Sequence, residues 1–255
     1  LLQRKDWIWW CKERKDRYPV VLPEYRKVKK QVNPYVFCDV LSDYLDEQDI
    51  IVSSNGSSCV IPIQSLRLEK GQRHIVNSGC AAMGYGLPSA IGACFADKNR
   101  RVICLDGDGS IQLNIQELQT VAHHQLPLKI FMFNNDGYLS IRTTQKNFFN
   151  GHLVGESPKS GVTFPDMIKI AKAYGIKTCR ISKQNELPRK IEEAINCSGP
   201  VFCDVMMQSD QLFAPRSSSQ RLPGGRMISK PLEDMYPFLE RSELLSNMLI
   251  DLWDQ

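Results

Sequence analysis

The 255-residue chain lacks the features of secreted, zinc-binding and membrane-spanning proteins. Its nine cysteines are an odd number without any CxxC spacing, and several lie in apolar runs such as VICLD, where a free thiol behaves as a small hydrophobe. No apolar run approaches the length of a membrane span, and the N-terminus lacks the apolar segment of a signal peptide. We therefore expect no disulfide framework, no zinc site, no membrane association and a reducing, cytoplasmic compartment.

Net positive charge is confined to the first part of the chain. The net charge is +4, and residues 1–33 contain ten Lys/Arg against four Asp/Glu. These charges alternate with Trp7, Trp9, Trp10 and Tyr18, a pattern that does not predict a nucleic-acid partner. The first residue is Leu rather than Met, and we expect the chain to be part of a longer polypeptide. We assign residues 1–33 to a helix and linker from a preceding domain.

Strand-like and helix-like segments alternate over residues 34–208, beginning with a helix predicted over residues 35–47. Beyond residue 208 the chain is predicted to be irregular, with a short helical end at residues 231–250. Short β-rich runs end at the polar sequences SNGSS, GDGS and NNDG, and helical period follows in IQELQTVAHH. The stretch between NNDG and PDMIKIAKAY is predicted to be a loop. The alternation predicts an α/β fold with a doubly wound, mostly parallel sheet and helices on both faces. Because ligands bind outside the carboxyl ends of such strands, the three polar sequences are expected to form a site.

Two of these sequences have the chemistry of a metal-bridged phosphate site. Residues 107–110 (GDGS) combine glycines, which permit close approach to a ligand, with a carboxylate at the start of a helix. A helix N-terminus favours phosphate, but Asp108 would repel it unless a divalent cation lay between them. Residues 134–137 (NNDG) offer an amide oxygen and a backbone carbonyl, which suit Mg²⁺.

Simpler interpretations of the same residues stay open. The acidic positions from Asp106 to Glu117 imitate a calcium loop, although Ile111 stands where the turn requires Gly. Met83 would ordinarily be a core residue, and Asn134 is interpreted as a turn residue rather than a ligand. A Mg²⁺-dependent nucleotide-binding domain is one function that such a site would serve.

GDGS followed one helix and one strand later by NN resembles the thiamin-diphosphate fingerprint, which opens with GDG and closes with NN. Residues 79–93 (GCAAMGYGLPSAIGA) are similar to the stretch upstream of GDG in acetolactate synthases and related 2-oxo-acid carboligases. SNGSS resembles their diphosphate-contacting loop, and PLEDMYPFL their C-terminal tail. The resemblance covers about residues 35–250 and points to the C-terminal, diphosphate-binding domain of an acetolactate-synthase-like protein.

The resemblance implies a set of metal and cofactor contacts. Asp108, the Asn135 side chain and the Gly137 carbonyl would bind Mg²⁺. Met83 would support the bent cofactor and the Ala81 carbonyl would accept a hydrogen bond from its amine, so these two are the implied catalytic residues. The implied cofactor-binding residues are Gly56, Ser57, Ser58, Ala81, Met83, Gly107, Asp108, Gly109, Ser110, Asn135, Gly137, Tyr138 and Leu139.

The resemblance also implies a reaction and partners. The enzyme would decarboxylate a 2-oxo acid such as pyruvate and pass the acyl carbanion to a carbonyl acceptor; a non-ligating 2-oxo-acid decarboxylase is the alternative. A Glu from a separate pyrimidine-binding domain, contributed across a dimer interface, would complete the site. We therefore expect a homo-oligomer, dimeric or tetrameric, and no activity from this chain alone. FAD, bound by some relatives, would belong to a further domain, and residues 209–255 are assigned to a tail that related enzymes use as a lid.

Two positions depart from the acetolactate synthases of branched-chain amino acid synthesis. Thr144 stands where they have a Trp that shapes the acceptor pocket, and Ser57-Ser58 replaces Gln-His in the diphosphate loop. These differences leave the acceptor open. Arg142 and Lys146 are expected near the site, where they would hold an anionic or sugar-nucleotide acceptor.

Overall fold

The computed structural model describes residues 2–221 and 224–251. It divides into two compact units, Leu1–Gln211 and Leu212–Gln255. The second unit contains the antiparallel pair β7 (Ser219–Arg221) and β8 (Met227–Ser229) and the helix α9 (Arg241–Asn247). No helix within the described ranges is both long and apolar enough to cross a bilayer.

The first unit is built on a six-stranded sheet. Its strands are β1 (Ile50–Ser53), β2 (Arg73–Val76), β3 (Val102–Gly107), β4 (Leu128–Asn134), β5 (Lys177–Ile181) and β6 (Val201–Met206). All neighbours pair in parallel in the order β2-β1-β3-β4-β6-β5, with Leu105 opposite Phe131 in the central pair. The predicted α/β fold with a parallel sheet is confirmed.

Helices connect these strands. They are α1 (Leu2–Arg17), α2 (Pro34–Ser42), α3 (Ser57–Ser65), α4 (Gly86–Ala96), α5 (Leu118–His123), α6 (Leu139–Phe148), α7 (Met167–Ala173) and α8 (Leu187–Asn196). Short 3₁₀ segments occur at Tyr25–Lys27, Ile111–Glu117, Pro158–Ser160 and Gln184–Glu186. α2 begins where it does because the Asn33 side chain accepts from the Tyr35 and Val36 amides, with Pro34 in the first turn.

The sheet buries apolar side chains on both faces. Along β4, Phe131 and Phe133 make edge-on contacts with Phe37 of α2. The alternate residues, Ile130 and Met132, belong instead to the large apolar cluster that includes buried residues of α4 and α5. Because successive strand side chains point to opposite faces, a central strand covered by helices is apolar on both faces, as residues 130–133 (IFMF) are.

The strand order changes direction between β1 and β3. The chain adds β2 on one side of β1 and then β3 on the other. In open α/β sheets, ligands bind outside the carboxyl ends of the strands at such a switch point. The segments that leave β1, β3 and β4 at this edge contain SNGSS, GDGS and NNDG.

Several local predictions were wrong. The stretch after NNDG, predicted to be a loop, contains α6, and both α3 and β2 were missed. The helix predicted over residues 35–47 ends at Ser42. In the second unit, the segment predicted to be irregular contains the strand residues 219–221, and the predicted helical end is helical only at Arg241–Asn247.

Candidate functional site

The three polar sequences meet at one cavity of about 270 Å³ at the switch point of the sheet. Its lining residues are Asn55, Gly56, Ser57, Ala81, Met83, Gly107, Asp108, Gly109, Ser110, Asn135, Gly137, Tyr138, Leu139, Ser140 and Ile141. The predicted metal- and cofactor-binding residues are all in this set except Ser58, and Asn55, Ser140 and Ile141 were not predicted. The structure therefore brings together residues that are up to 86 positions apart, from Asn55 to Ile141.

The SNGSS segment forms a tight turn into α3. Gly56 precedes the helix with φ +56°, in the left-handed region that favours glycine. The Ser58 hydroxyl donates to the Asn55 carbonyl at 2.9 Å, so this side chain stabilises the turn rather than lining the cavity. The first turn of α3 has amide groups without intrahelical acceptors, which suit an anionic ligand.

Asp108 is almost completely buried at the carboxyl end of β3. One carboxylate oxygen accepts from the Gly109 amide at 2.8 Å, and the other accepts from the Asn135 and Gly137 amides, each at 3.1 Å. Burial raises the pKa of Asp108 to about 7, although these three hydrogen bonds act in the opposite direction. A cation beside such a carboxylate would stabilise its charged form.

Asn135 presents an unsatisfied acceptor at the same place. Its side-chain amide donates to the Ser57 hydroxyl at 3.1 Å, and the residue is buried. Its Oδ1 atom has no hydrogen-bond partner among the described residues. Buried polar atoms are nearly always paired, so an orphaned oxygen in a cavity next to a buried carboxylate fits a hard cation such as Mg²⁺.

Gly137 follows in a position that only glycine can occupy. Its φ is +131°, and a Cβ there would overlap the Glu156 carbonyl oxygen. The same carbonyl accepts from the Tyr138 amide at 2.8 Å. The chain is therefore held against residue 156 on one side and against Asp108 on the other.

The Met83 segment is fixed to the segment that follows β3. The Gly84 amide donates to the Ser110 hydroxyl at 3.0 Å, and the Gly84 carbonyl accepts from the Asn114 side chain at 2.6 Å. Ala81 has φ +50°, unusual for a residue with a Cβ and typical of functional turns. Asn114 was missed by sequence reasoning, because nothing in its spacing marks it as a partner of residue 84.

Residues 54–205 match the family model described as "Thiamine pyrophosphate enzyme, C-terminal TPP binding domain". The chain belongs to this family. Thiamine pyrophosphate is the compound called thiamin diphosphate above, so the predicted family and cofactor class are confirmed.

Curated relatives of this thiamin-diphosphate-binding domain are acetolactate synthases. The large subunit from Cyanidium caldarium is 30% identical over 226 residues, which cover 87% of this chain and 37% of that protein. The large subunit from Pyropia yezoensis is 32% identical over 221 residues, covering 85% and 36% respectively. Acetolactate synthase 3, chloroplastic, from Brassica napus is 29% identical over 207 residues, covering 80% and 31%. The chain thus spans about a third of the length of these relatives.

Within this thiamin-diphosphate-binding domain, Arg142 does not lie where it was expected to act. It is only 7% exposed, and its guanidinium pairs with buried Glu156 instead of facing an acceptor. Thr144 and Lys146, also on α6, are exposed. The geometry is therefore against the expectation that Arg142 holds an anionic acceptor, because its guanidinium is buried and is engaged by Glu156 and by backbone carbonyls.

The simpler interpretations can be compared with these contacts. Asn134 is the last residue of β4 rather than a turn residue; its side chain donates to Asp204 at 3.0 Å and its carbonyl accepts from the Met207 amide at 2.8 Å, so its contacts are structural. Glu117, the last position of the calcium-like pattern, accepts from the Thr120 hydroxyl at 2.8 Å. Met83 is half-buried and lines the cavity, which is not the position of a core methionine.

Proposed function

We propose that this chain is the Mg²⁺- and thiamin-diphosphate-binding part of an enzyme that decarboxylates a 2-oxo acid and transfers the acyl unit to a carbonyl acceptor. The observation that supports it best is the orphaned Oδ1 of buried Asn135, in the same cavity as Asp108. The acetolactate synthases among the relatives supply the reaction class.

In this proposal one group of residues binds the cation and another binds the diphosphate. The Asp108 carboxylate, the Asn135 Oδ1 atom and the Gly137 carbonyl hold the cation, and diphosphate oxygens and water complete its shell. Residues 56–58 and 109–110 contribute amide groups to the diphosphate. A divalent cation is needed because a carboxylate and a diphosphate would otherwise repel each other in a buried site.

Thiamin diphosphate, when bound, supplies the electron sink for loss of the carboxylate from a 2-oxo acid. The tasks of this chain are binding and orientation. Met83 supports the bent form of the cofactor, and the Ala81 carbonyl accepts a hydrogen bond from the aminopyrimidine amine. The left-handed backbone at Ala81 sets the direction of that carbonyl.

The rest of the catalytic unit is proposed to come from other parts of the protein. A pyrimidine-binding domain and a second copy of the chain would complete the groove. Leu113, whose Cβ lies near Gly84, is 57% exposed, and Ile141 of the cavity lining is 42% exposed, so apolar surface is present where such a partner would pack. The lid role of residues 209–255 and a cytoplasmic location stay predictions, and the Brassica napus relative is chloroplastic.

Thermal unfolding of the intact protein with different ligands tests cofactor and metal together. Thiamin diphosphate plus Mg²⁺, at about 100 times the dissociation constant, should stabilise the native state by about 2.7 kcal/mol. ATP and NAD⁺, each with Mg²⁺, are the matched controls and should give no comparable shift. Stabilisation by ATP but not by thiamin diphosphate would favour the nucleotide-binding alternative.

Product analysis of the intact protein with pyruvate then tests the reaction. Transfer of the acyl unit to a carbonyl acceptor forms a new carbon–carbon bond and yields a hydroxy ketone or hydroxy-oxo acid. Decarboxylation alone yields acetaldehyde. A free aldehyde as the only product would replace the carboligase proposal with the decarboxylase.

Met83→Ala should impair the orientation of the bound cofactor without impairing its binding. We expect thiamin diphosphate affinity to change little, because the diphosphate is held elsewhere, while turnover falls by about 10- to 100-fold, as misplacement of a reacting group by about 1 Å can cause. Calorimetry and steady-state kinetics measure the two effects. Met132→Ala, which truncates a core methionine, is the control and should instead lower stability by about 2–5 kcal/mol. If Met83→Ala lost stability, cofactor affinity and turnover together, Met83 would be assigned a packing role instead.

A further inference from the structure

A buried ion pair adjoins the turn formed by residues 135–138. Arg142 on α6 and Glu156 in the following segment are 7% and 1% exposed, and the Arg142 Nε atom donates to a Glu156 carboxylate oxygen. Replacing a buried ion pair by apolar residues is often neutral or stabilising, so such a pair is weak evidence for a role in stability alone. The contacts of the pair indicate another role.

The Arg142 guanidinium binds the backbone of the 135–138 turn. Its Nη1 atom donates to the Asn135 carbonyl at 3.3 Å and to the Ser209 carbonyl at 2.6 Å, while Nη2 donates to the Asp136 carbonyl at 2.9 Å. The carbonyls of two consecutive turn residues are thereby engaged by one rigid, planar group. The backbone oxygen of Asn135 is thus hydrogen-bonded, whereas its side-chain Oδ1 atom has no partner among the described residues.

Glu156 holds the same turn from its other end. Its carbonyl accepts from the Tyr138 amide and lies against Gly137. Its carboxylate is fixed by Arg142 and by the Ser157 and Ser160 hydroxyls, at 2.5 and 3.2 Å. The ion pair therefore joins the two ends of a four-residue turn through side chains that solvent does not reach.

The turn needs such support because its backbone is strained. Asp136 and Gly137 have consecutive positive φ values, +60° and +131°, and the first of these residues has a Cβ. Residues in sparsely populated backbone conformations persist only where contacts with the surrounding structure hold them there. Arg142 fixes this backbone by donating to the Asp136 carbonyl, and Asp108 fixes it by accepting from the Gly137 amide.

We propose that Arg142, oriented by Glu156, is a positioning residue for the divalent cation: it fixes the 135–138 turn so that the Asn135 Oδ1 atom and the Gly137 carbonyl are presented together with Asp108. The proposal rests on the proposed function for the identity of the ligand. It assigns Arg142 no contact with substrate. Lysine cannot replace it, because an ammonium group lacks the planar fork that reaches several acceptors at fixed angles.

The test is Mn²⁺ binding to the intact protein in the presence of thiamin diphosphate, followed by electron paramagnetic resonance. We expect Arg142→Lys to weaken Mn²⁺ binding by about 10- to 100-fold, the usual loss when a group that orients metal ligands is removed. Glu156→Gln retains the shape of its side chain and should give a smaller loss in the same direction. It also keeps the proposal testable if Arg142→Lys does not fold.

Arg101→Lys is the matched control. Arg101 forms a two-point ion pair with buried Asp49, at 2.8 and 2.5 Å, beside the amino ends of β1 and β3, the opposite edge of the sheet from the cavity. The Arg101→Lys substitution should lower the denaturant midpoint of the metal-free protein at least as much as Arg142→Lys does. It should leave the affinity for Mn²⁺ unchanged. Native Mn²⁺ affinity in folded Arg142→Lys and Glu156→Gln, or an equal loss in Arg101→Lys, would overturn the positioning role alone. A native protein that binds no Mn²⁺ with thiamin diphosphate would overturn the proposed function, and this inference with it.

Discussion

Asp108→Asn is expected to abolish metal-dependent binding of thiamin diphosphate. The carboxylate is the only charged side chain among the three proposed ligands, and the substitution removes that charge from a buried site. Asparagine would also place an NH₂ group where the carboxylate now accepts from backbone amides. We expect the affinity for cofactor in the presence of Mg²⁺ to fall by about 100-fold or more, since groups that merely orient metal ligands already account for 10- to 100-fold.

Calorimetric titration of the intact protein, with and without Mg²⁺, measures this effect. Asp49→Asn is the control, because Asp49 is also a buried carboxylate but is ion-paired with Arg101 at the opposite edge of the sheet. It should cost stability and leave cofactor affinity unchanged. If Asp108→Asn retained its Mg²⁺-dependent affinity, the cation would have to be assigned to other residues.

Gly137→Ala is expected to have the largest effect on folding of any single methyl addition at this site. The new Cβ would overlap the Glu156 carbonyl, which is backbone and cannot rotate away, and the φ of +131° is unfavourable for alanine. Backbone strain and overpacking each cost about 1–3 kcal/mol, so we expect a loss of at least about 2 kcal/mol in the free energy of unfolding. Denaturant unfolding measures the loss.

Gly175→Ala separates the cost of backbone strain from the cost of steric overlap. Gly175 also has a positive φ, +75°, but a Cβ there would meet no atom within 4 Å. Its substitution should cost only the backbone strain. Equal losses in the two variants would show that the overlap with Glu156 is relieved by local movement, and that the 135–138 turn is less rigid than its contacts indicate.

The strands of the sheet centre could be predicted from sequence because burial on both faces leaves a continuous apolar run, as in VICL of β3 and IFMF of β4. The edge strand β2 could not, because two of its four residues are Arg73 and His74 and its pattern carries no apolar period. α3 was hidden by Pro62 in its interior and by a first turn made of serines. In both segments the local sequence lacks the apolar periodicity of the element that the tertiary structure forms there.

α6 was missed for a more specific reason. Its buried positions, Leu139, Arg142 and Thr143, have helical spacing, but one of them is charged and one is polar. A helix whose inner face contains an arginine has no apolar stripe to detect. The partner that makes burial of Arg142 tolerable, Glu156, lies 14 residues away in an irregular segment, so only the folded chain reveals the pair. The GDGS and NNDG sequences were recognisable as a candidate site because glycines, a carboxylate and amides at strand ends have a chemistry of their own. The individual site residues, Ala81 and Met83 among them, were implied by the resemblance to the thiamin-diphosphate fingerprint.

Ser110 links two parts of the cavity that are distant in sequence. Its hydroxyl is bonded to Ser54 at 2.9 Å and accepts from the Gly84 amide, while its own backbone belongs to the turn after β3. A ligand that immobilises this turn therefore also restricts the Met83 segment, and less conformational entropy remains to be lost when the second part of the same ligand settles there. We therefore expect binding at the two ends of the cavity to be cooperative within a single molecule of cofactor, with the Ser110 hydroxyl transmitting the coupling.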